Sequence, residues 1–147
     1  MGKMKASEAS QVFEEMLEQV TGSYVSRDFE AFASVIHLPH HISTPFETIT
    51  IREPHHLKAV FDAVCALTHS DDDPKVHAVC HDAKPKGRDR IAGQYSTFSK
   101  DHSILPAEIK SETVLMWIGN EWKACVSRYE FTKDDVVAIA LRAAVST

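Results

Sequence analysis

A chain of 147 residues that is 44% hydrophobic and 25% charged has the size and composition of one ordinary globular domain, taken here as residues 1–147. Its formal net charge of −5, with 16 Lys and Arg spread along the sequence, excludes the clustered cations that nucleic-acid phosphates require. No run of 18 apolar residues could cross a membrane, no apolar leader core opens the chain, and Cys65, Cys80 and Cys125 make no CxxC pair, so a cytoplasmic protein with buried, inert thiols is expected.

The first element is a helix over about residues 7–22. Phe13, Met16, Leu17 and Val20 recur at helical spacing, Glu14, Glu15 and Glu18 take the other faces, and Gly22 is a plausible stop. A shorter helix follows over 27–36, with Ser26 as its cap, Phe29, Phe32, Ala33 and Ile36 as its stripe, and Pro39 ending it. Two strand-like pieces, 40–44 and 48–51, flank Pro45-Phe46-Glu47, and the alternation in Thr48-Ile49-Thr50-Ile51 is the stronger signal. Pro54 suits the first turn of a third helix, whose stripe is Leu57, Val60, Phe61, Val64 and Cys65 and which ends near Thr68 before the acidic run Asp71-Asp72-Asp73, read as a solvated loop.

From Lys75 the period changes to two. Strands are expected over about 76–83, 90–99, 109–118 and 122–131, with Pro85-Lys86-Gly87 as punctuation and Gly119-Asn120 as a tight hairpin turn, since both residues tolerate positive φ. Thr132 caps a last helix over about 133–145 that is apolar around most of its circumference. Helices followed by a long antiparallel meander define an α+β layer fold, and strands of this length twist enough for the sheet to curl beneath the helices.

Five of the nine histidines lie between residues 37 and 56, which raises the question of a metal. His77 and His81 would suit zinc on a helix, but on a strand they stand about 13 Å apart. His55 and His56 point about 100° apart on a helix, and His40 and His41 point to opposite faces of a strand. No metal and no cofactor are expected, and no Ser-His-Asp order, glycine-rich phosphate loop or carboxylate pair is present.

The element order, with the stretches Arg27-Asp-Phe-Glu-Ala-Phe-Ala-Ser-Val-Ile36, Leu38-Pro-His-His-Ile-Ser-Thr-Pro45 and Gly119-Asn-Glu-Trp-Lys-Ala-Cys-Val-Ser-Arg-Tyr129, resembles the nuclear transport factor 2-like superfamily, which includes SnoaL-like polyketide cyclases and ketosteroid isomerase. The resemblance covers about residues 7–131 and leaves the C-terminal helix as an extension. It implies a cone-shaped curled antiparallel sheet, three N-terminal helices over it, and a pocket between them. The isomerase branch carries an aspartate base on the first strand just before a proline. Thr44 stands there in this sequence and cannot be such a base. The branch's second acid falls near Thr113; a one-residue slip would bring Glu112 there but would reverse every side chain.

The resemblance implies that His40, Ile42 and Thr44 face the pocket, which leaves His40 as the titratable group there with an ordinary pKa near neutrality. With Gly119-Asn120 as the turn, Trp117 pairs with Trp122, Leu115 with Ala124, Thr113 with Val126, and Ser111 with Arg128. The isomerase comparison turns that face inward, placing Arg128 on an apolar wall, although a salt bridge with Glu130 or Glu112 is an equal reading. Tyr24 and Phe61 complete the expected lining. Three functions follow as expectations: a domain binding a small apolar or carbonyl-bearing molecule; a dimerisation or interaction module built on the helix over 134–144; and an isomerase, dehydratase or cyclase using His40 as acid or base. A homodimer is expected in each case.

Overall fold

The computed structural model describes residues 4–68, 76–99, 108–130 and 136–145. In chain order these form α1 (Ala6–Ser26), α2 (Phe29–Ala33), β1 (Ile36–Ser43), β2 (Thr48–Ile51), α3 (Pro54–Thr68), β3 (Val76–Pro85), β4 (Arg90–Ser99), β5 (Glu108–Ile118), β6 (Glu121–Tyr129) and α4 (Val136–Val145). The acidic run at 71–73, the connection after Ser99 and the expected cap at Thr132 lie outside the described residues.

The first helix does not stop at Gly22. It continues to Ser26, and the hydroxyls of Ser23 and Ser26 donate back to the carbonyls of Val20 (2.6 Å) and Gly22 (2.9 Å) within it. The stop is made by Arg27, whose φ of 55° is left-handed, while the Asp28 N–H reaches back to the Ser23 carbonyl at 2.9 Å. Asp28 rather than Ser26 then caps α2, its carboxylate accepting the Ala31 N–H at 3.2 Å. This second helix is only five residues long. Ile36 and Pro39, assigned to a helix and its terminator by pattern, belong instead to β1, and Pro39 is exposed at the irregular stretch between Ile36 and His41 where regular pairing lapses.

The six strands form a curled, unclosed sheet in the order β2-β1-β6-β5-β4-β3. All neighbours run antiparallel except β1 and β6, which are parallel, so the first strand inserts between the hairpin partner that follows it and the last strand of the meander. The turn between β5 and β6 is the expected one: Gly119 and Asn120 have φ of 56° and 68°, and Ile118 pairs with Glu121.

Two buried clusters fill the interior. One gathers Ala9, Phe13, Met16 and Leu17 of α1 against Ala83, Ile91, Tyr95, Leu115 and Ala124 of the sheet. The other gathers Phe32, Ile42, Ile49, Ile51 and the α3 stripe, joined by Ala138 and Leu141 of α4. Within the first, the Phe13 ring lies directly on Gly93 of β4, in the space a β-carbon would need. Gly93→Ala should therefore cost about 1–3 kcal/mol through overpacking. Urea unfolding of Gly93→Ala alone and with Phe13→Leu tests the cause: the shorter side chain should recover part of the loss, and simple addition of the two losses would clear Phe13.

The last helix packs on α3 and is tied to the β1–β2 turn, with the Arg142 guanidinium 3.6 Å from the Glu47 carboxylate and 5.6 Å from the Phe46 ring centre. Ala138 and Leu141 face inward, and Ile139 is 49% exposed on the opposite side.

Candidate functional site

Between the two clusters lies a cavity of about 180 Å³. Its apolar wall comes largely from α1, α3 and α4, including Leu17, Val20, Leu57, Val60 and Leu141, and its polar groups come mostly from the strands, with Thr21 and Tyr24 added by α1. The strands can supply them because each alternates its side chains, so hydroxyl and imidazole groups at inward positions form a strip across the floor.

His40 anchors that strip. It is 5% exposed, with Nδ1 3.1 Å from the Ala124 carbonyl oxygen and Nε2 3.1 Å from Ser127 Oγ. A carbonyl only accepts, so Nδ1 carries the proton and Nε2 accepts from the serine hydroxyl. Burial holds the ring neutral, lowering its pKa from 6.5 to about 4 despite the opposing pull of the Ala124 carbonyl, with the nearby His41 and His37 adding to the decrease. Ser127 Oγ also lies 3.3 Å from Thr113 Oγ1, which donates to the Tyr95 phenol at 3.5 Å. The Tyr129 hydroxyl hydrogen-bonds both Tyr95 and Ser127. Desolvation pushes the Tyr129 and Tyr24 phenols well above their usual range, so both stay protonated.

Of the residues expected from sequence to face this space, Tyr24, His40, Ile42 and Thr113 line it. The other six stand elsewhere. Thr44 is buried in the β1–β2 turn, where its hydroxyl bonds the Glu47 N–H and carbonyl, both at 3.1 Å. Phe61 packs among Tyr24, Phe29 and Phe32 with ring centres 5.1–5.6 Å away. Leu115 is fully buried in the α1–sheet core, and Trp117 is 42% exposed at the rim with its ring edge toward Trp122.

Val126 and Arg128 are turned away by a register shift. Trp117 pairs with Trp122 and Leu115 with Ala124 as expected, but the next partners are Val114 with Val126, Thr113 with Ser127, Glu112 with Arg128 and Ser111 with Tyr129. Cys125 is the extra residue of a bulge, its thiol donating to the Val114 carbonyl at 3.4 Å. One inserted residue reverses the parity of everything after it. Arg128 is thus exposed on the outer face, and Ser127 and Tyr129 take the inward positions. Tyr95 and Thr97, also not foreseen, come from β4, whose inward face no sequence signal fixed, and His77 of β3 and Thr21 of α1 add two further polar groups.

Of the other described histidines, His77 also lines the cavity and the rest stand apart from it. His41 bonds Thr50 Oγ1 at 3.1 Å, His77 stacks on Phe98, and His81 bonds Ser96 Oγ at 2.7 Å. His55 and His56 touch, with ring centres 4.1 Å apart, contrary to the divergence helical geometry suggested. Among the described residues no group of three His, Cys, Asp or Glu is placed to hold a metal ion, and no helix is long and apolar enough to cross a membrane.

A curled six-stranded sheet with helices on its inner face is the nuclear transport factor 2-like fold, which solved structures share with this chain. A nuclear transport factor 2-like protein of unknown function from Shewanella baltica OS155 superposes with a TM-score of 0.63 at 10% identity, covering 87% of this chain and 97% of that one. A protein of unknown function from Mycobacterium tuberculosis does so with a TM-score of 0.63 at 13% identity over 97% and 94%. One with a cystatin-like fold from Nostoc punctiforme PCC 73102 gives 0.59 at 9% identity over 90% and 97%. At such identities the likeness is one of fold. No family model matches the sequence, and no curated protein does.

Proposed function

We propose that the chain binds a small, uncharged, largely apolar molecule in the cavity between α1, α3, α4 and the sheet. The observation that carries this reading is the composition of the wall: aliphatic and aromatic groups surround a set of hydroxyl, phenol and imidazole groups, and no Lys, Arg, Asp or Glu is among the described residues lining it. A charged ligand would enter without a counter-charge, which is costly in a water-poor site, whereas a neutral one with a single polar group would not. Recognition by His40 is favoured over turnover by it. Both ring nitrogens are engaged, and a pKa near 4 makes the ring a weak base and no acid at neutral pH. Native mass spectrometry of the purified protein should reveal a co-purified neutral molecule, or ligand-observed NMR should show toluene entering the emptied cavity and being lost on Leu141→Trp, which fills it. Failure of both would dispose of the reading.

A further inference from the structure

Resting on that reading, we infer that the cavity selects an elongated molecule, one ring bearing an unbranched tail, over an equally large molecule that is broad. Burial along the wall sets the direction. On the β1–β2 side the lining is sealed: Ile42, Ile51, Leu57 and Leu141 are all buried and belong to one packed cluster. On the far side of the sheet the lining reaches solvent. His77 of β3 is the one exposed residue among the described residues that line the cavity, and Ala78, Thr97 and Ile109 near it are half-buried. Those three stand in a row, since Thr97 pairs with Ala78 on one side and with Ile109 on the other. Among the described residues the cavity therefore has a sealed end and an open one.

Volume decides what must use the open end. An apolar cavity of about 150 Å³ accommodates benzene. The 180 Å³ here exceeds that by about 30 Å³, close to one water's share of liquid volume, which leaves room for one ring and a small substituent. A larger molecule must push the wall apart or send part of itself out. The wall resists the first, because the helices that form it also carry the two buried clusters, and packed interiors yield only with strain. An unbranched chain takes the second route while its ring stays at the sealed end, and its methylenes still cover the half-buried Ala78, Thr97 and Ile109. A ring substituted on three sides cannot do this, since in every orientation two substituents remain against the wall. The chemical class implied is a ring carrying a single chain, not a ring substituted all round.

The test compares toluene, n-propylbenzene and 1,3,5-trimethylbenzene by isothermal titration of the full chain. The last two are isomers, so their transfer from water drives binding about equally and only shape separates them. n-Propylbenzene should bind at least as tightly as toluene, and 1,3,5-trimethylbenzene about tenfold more weakly than its isomer, the effect of overpacking the wall. If toluene binds but the isomers are equal, or the broad one is tighter, the shape preference is overturned and the cavity reading survives. The same holds if n-propylbenzene binds about tenfold more weakly than toluene, which would mean that no end is open. If none of the three binds, both fall. Intermolecular NOEs in the n-propylbenzene complex then locate the tail. Its terminal methyl should lie near the methyl groups of Ala78, Thr97 and Ile109, with the ring protons near those of Leu57 and Leu141. Contacts from the terminal methyl to Leu57 or Leu141 instead would put the tail at the sealed end and overturn the assignment.

Discussion

Replacing Phe61 with alanine should remove about 3–5 kcal/mol of folding stability, the largest single loss expected in this chain. Phe61 is 2% exposed, and its ring is the common neighbour of three others: stacked on Tyr24 at 5.3 Å, and tilted or edge-on to Phe32 at 5.1 Å and Phe29 at 5.6 Å. Those neighbours belong to α1 and α2, so the ring on α3 joins all three helices at one point. Its loss opens a void that the helices cannot close independently, since each is also held by the sheet or by a cap. Chemical denaturation should show a lower midpoint with an unchanged slope. Phe61→Leu should lose roughly half as much or less, because it refills most of the volume. A loss below about 1 kcal/mol for Phe61→Ala would mean that the aromatic cluster does not hold the helices together.

Phe61 also shows where pattern reading succeeds and where it stops. Its place in the α3 stripe followed from spacing, and α3 spans Pro54–Thr68 as that spacing and the proline at its start required. Which side of the helix meets the cavity and which meets other helices depends on the packing partner, and no periodicity encodes that. The β5–β6 hairpin makes the same point more sharply. Its turn was legible because Gly119 and Asn120 have a local reason to be there, and the two pairs nearest the turn followed from it. The bulge at Cys125 has no such signature, lacking the glycine or proline that marks many irregularities, and pairings inferred by counting from the turn were shifted beyond it. Arg128 was thereby exchanged for Tyr129, and a cationic pocket for one lined by hydroxyls. His40 escaped that difficulty because it lies on another strand: the family resemblance turned it inward, and alternation set His41 on the opposite face. Its partner Ser127 was not legible, since the pair meets only through the parallel alignment of β1 with β6, a contact that a sequence separation of 87 does nothing to announce.

That buried pair makes the protein sensitive to acid in a definite direction. His40 titrates at an ordinary 6.5 in the unfolded chain and at about 4 in the folded one, chiefly because burial penalises its charged form. Between those values the unfolded state binds a proton that the folded state refuses, so falling pH favours unfolding. Above about pH 6.5 the two states are alike at this site and nothing is lost; by pH 4 the deficit reaches roughly 3 kcal/mol. Protonation would also place a hydrogen on Nε2, where Ser127 now donates, turning two donors toward each other and sending the serine proton to another acceptor such as Thr113. His40→Gln keeps a polar side chain but cannot titrate. It should be less stable than the unaltered chain at pH 7, where two hydrogen bonds are disturbed, and the gap should narrow or reverse by pH 4. Urea unfolding of both proteins at pH 7, 5.5 and 4 provides the measurement, with the difference between them cancelling the titration of the other carboxylates and histidines. Curves that run parallel across that range would mean that His40 is already solvated in the folded state. The strip it anchors would then be open to water and could not hold its protons in a fixed pattern.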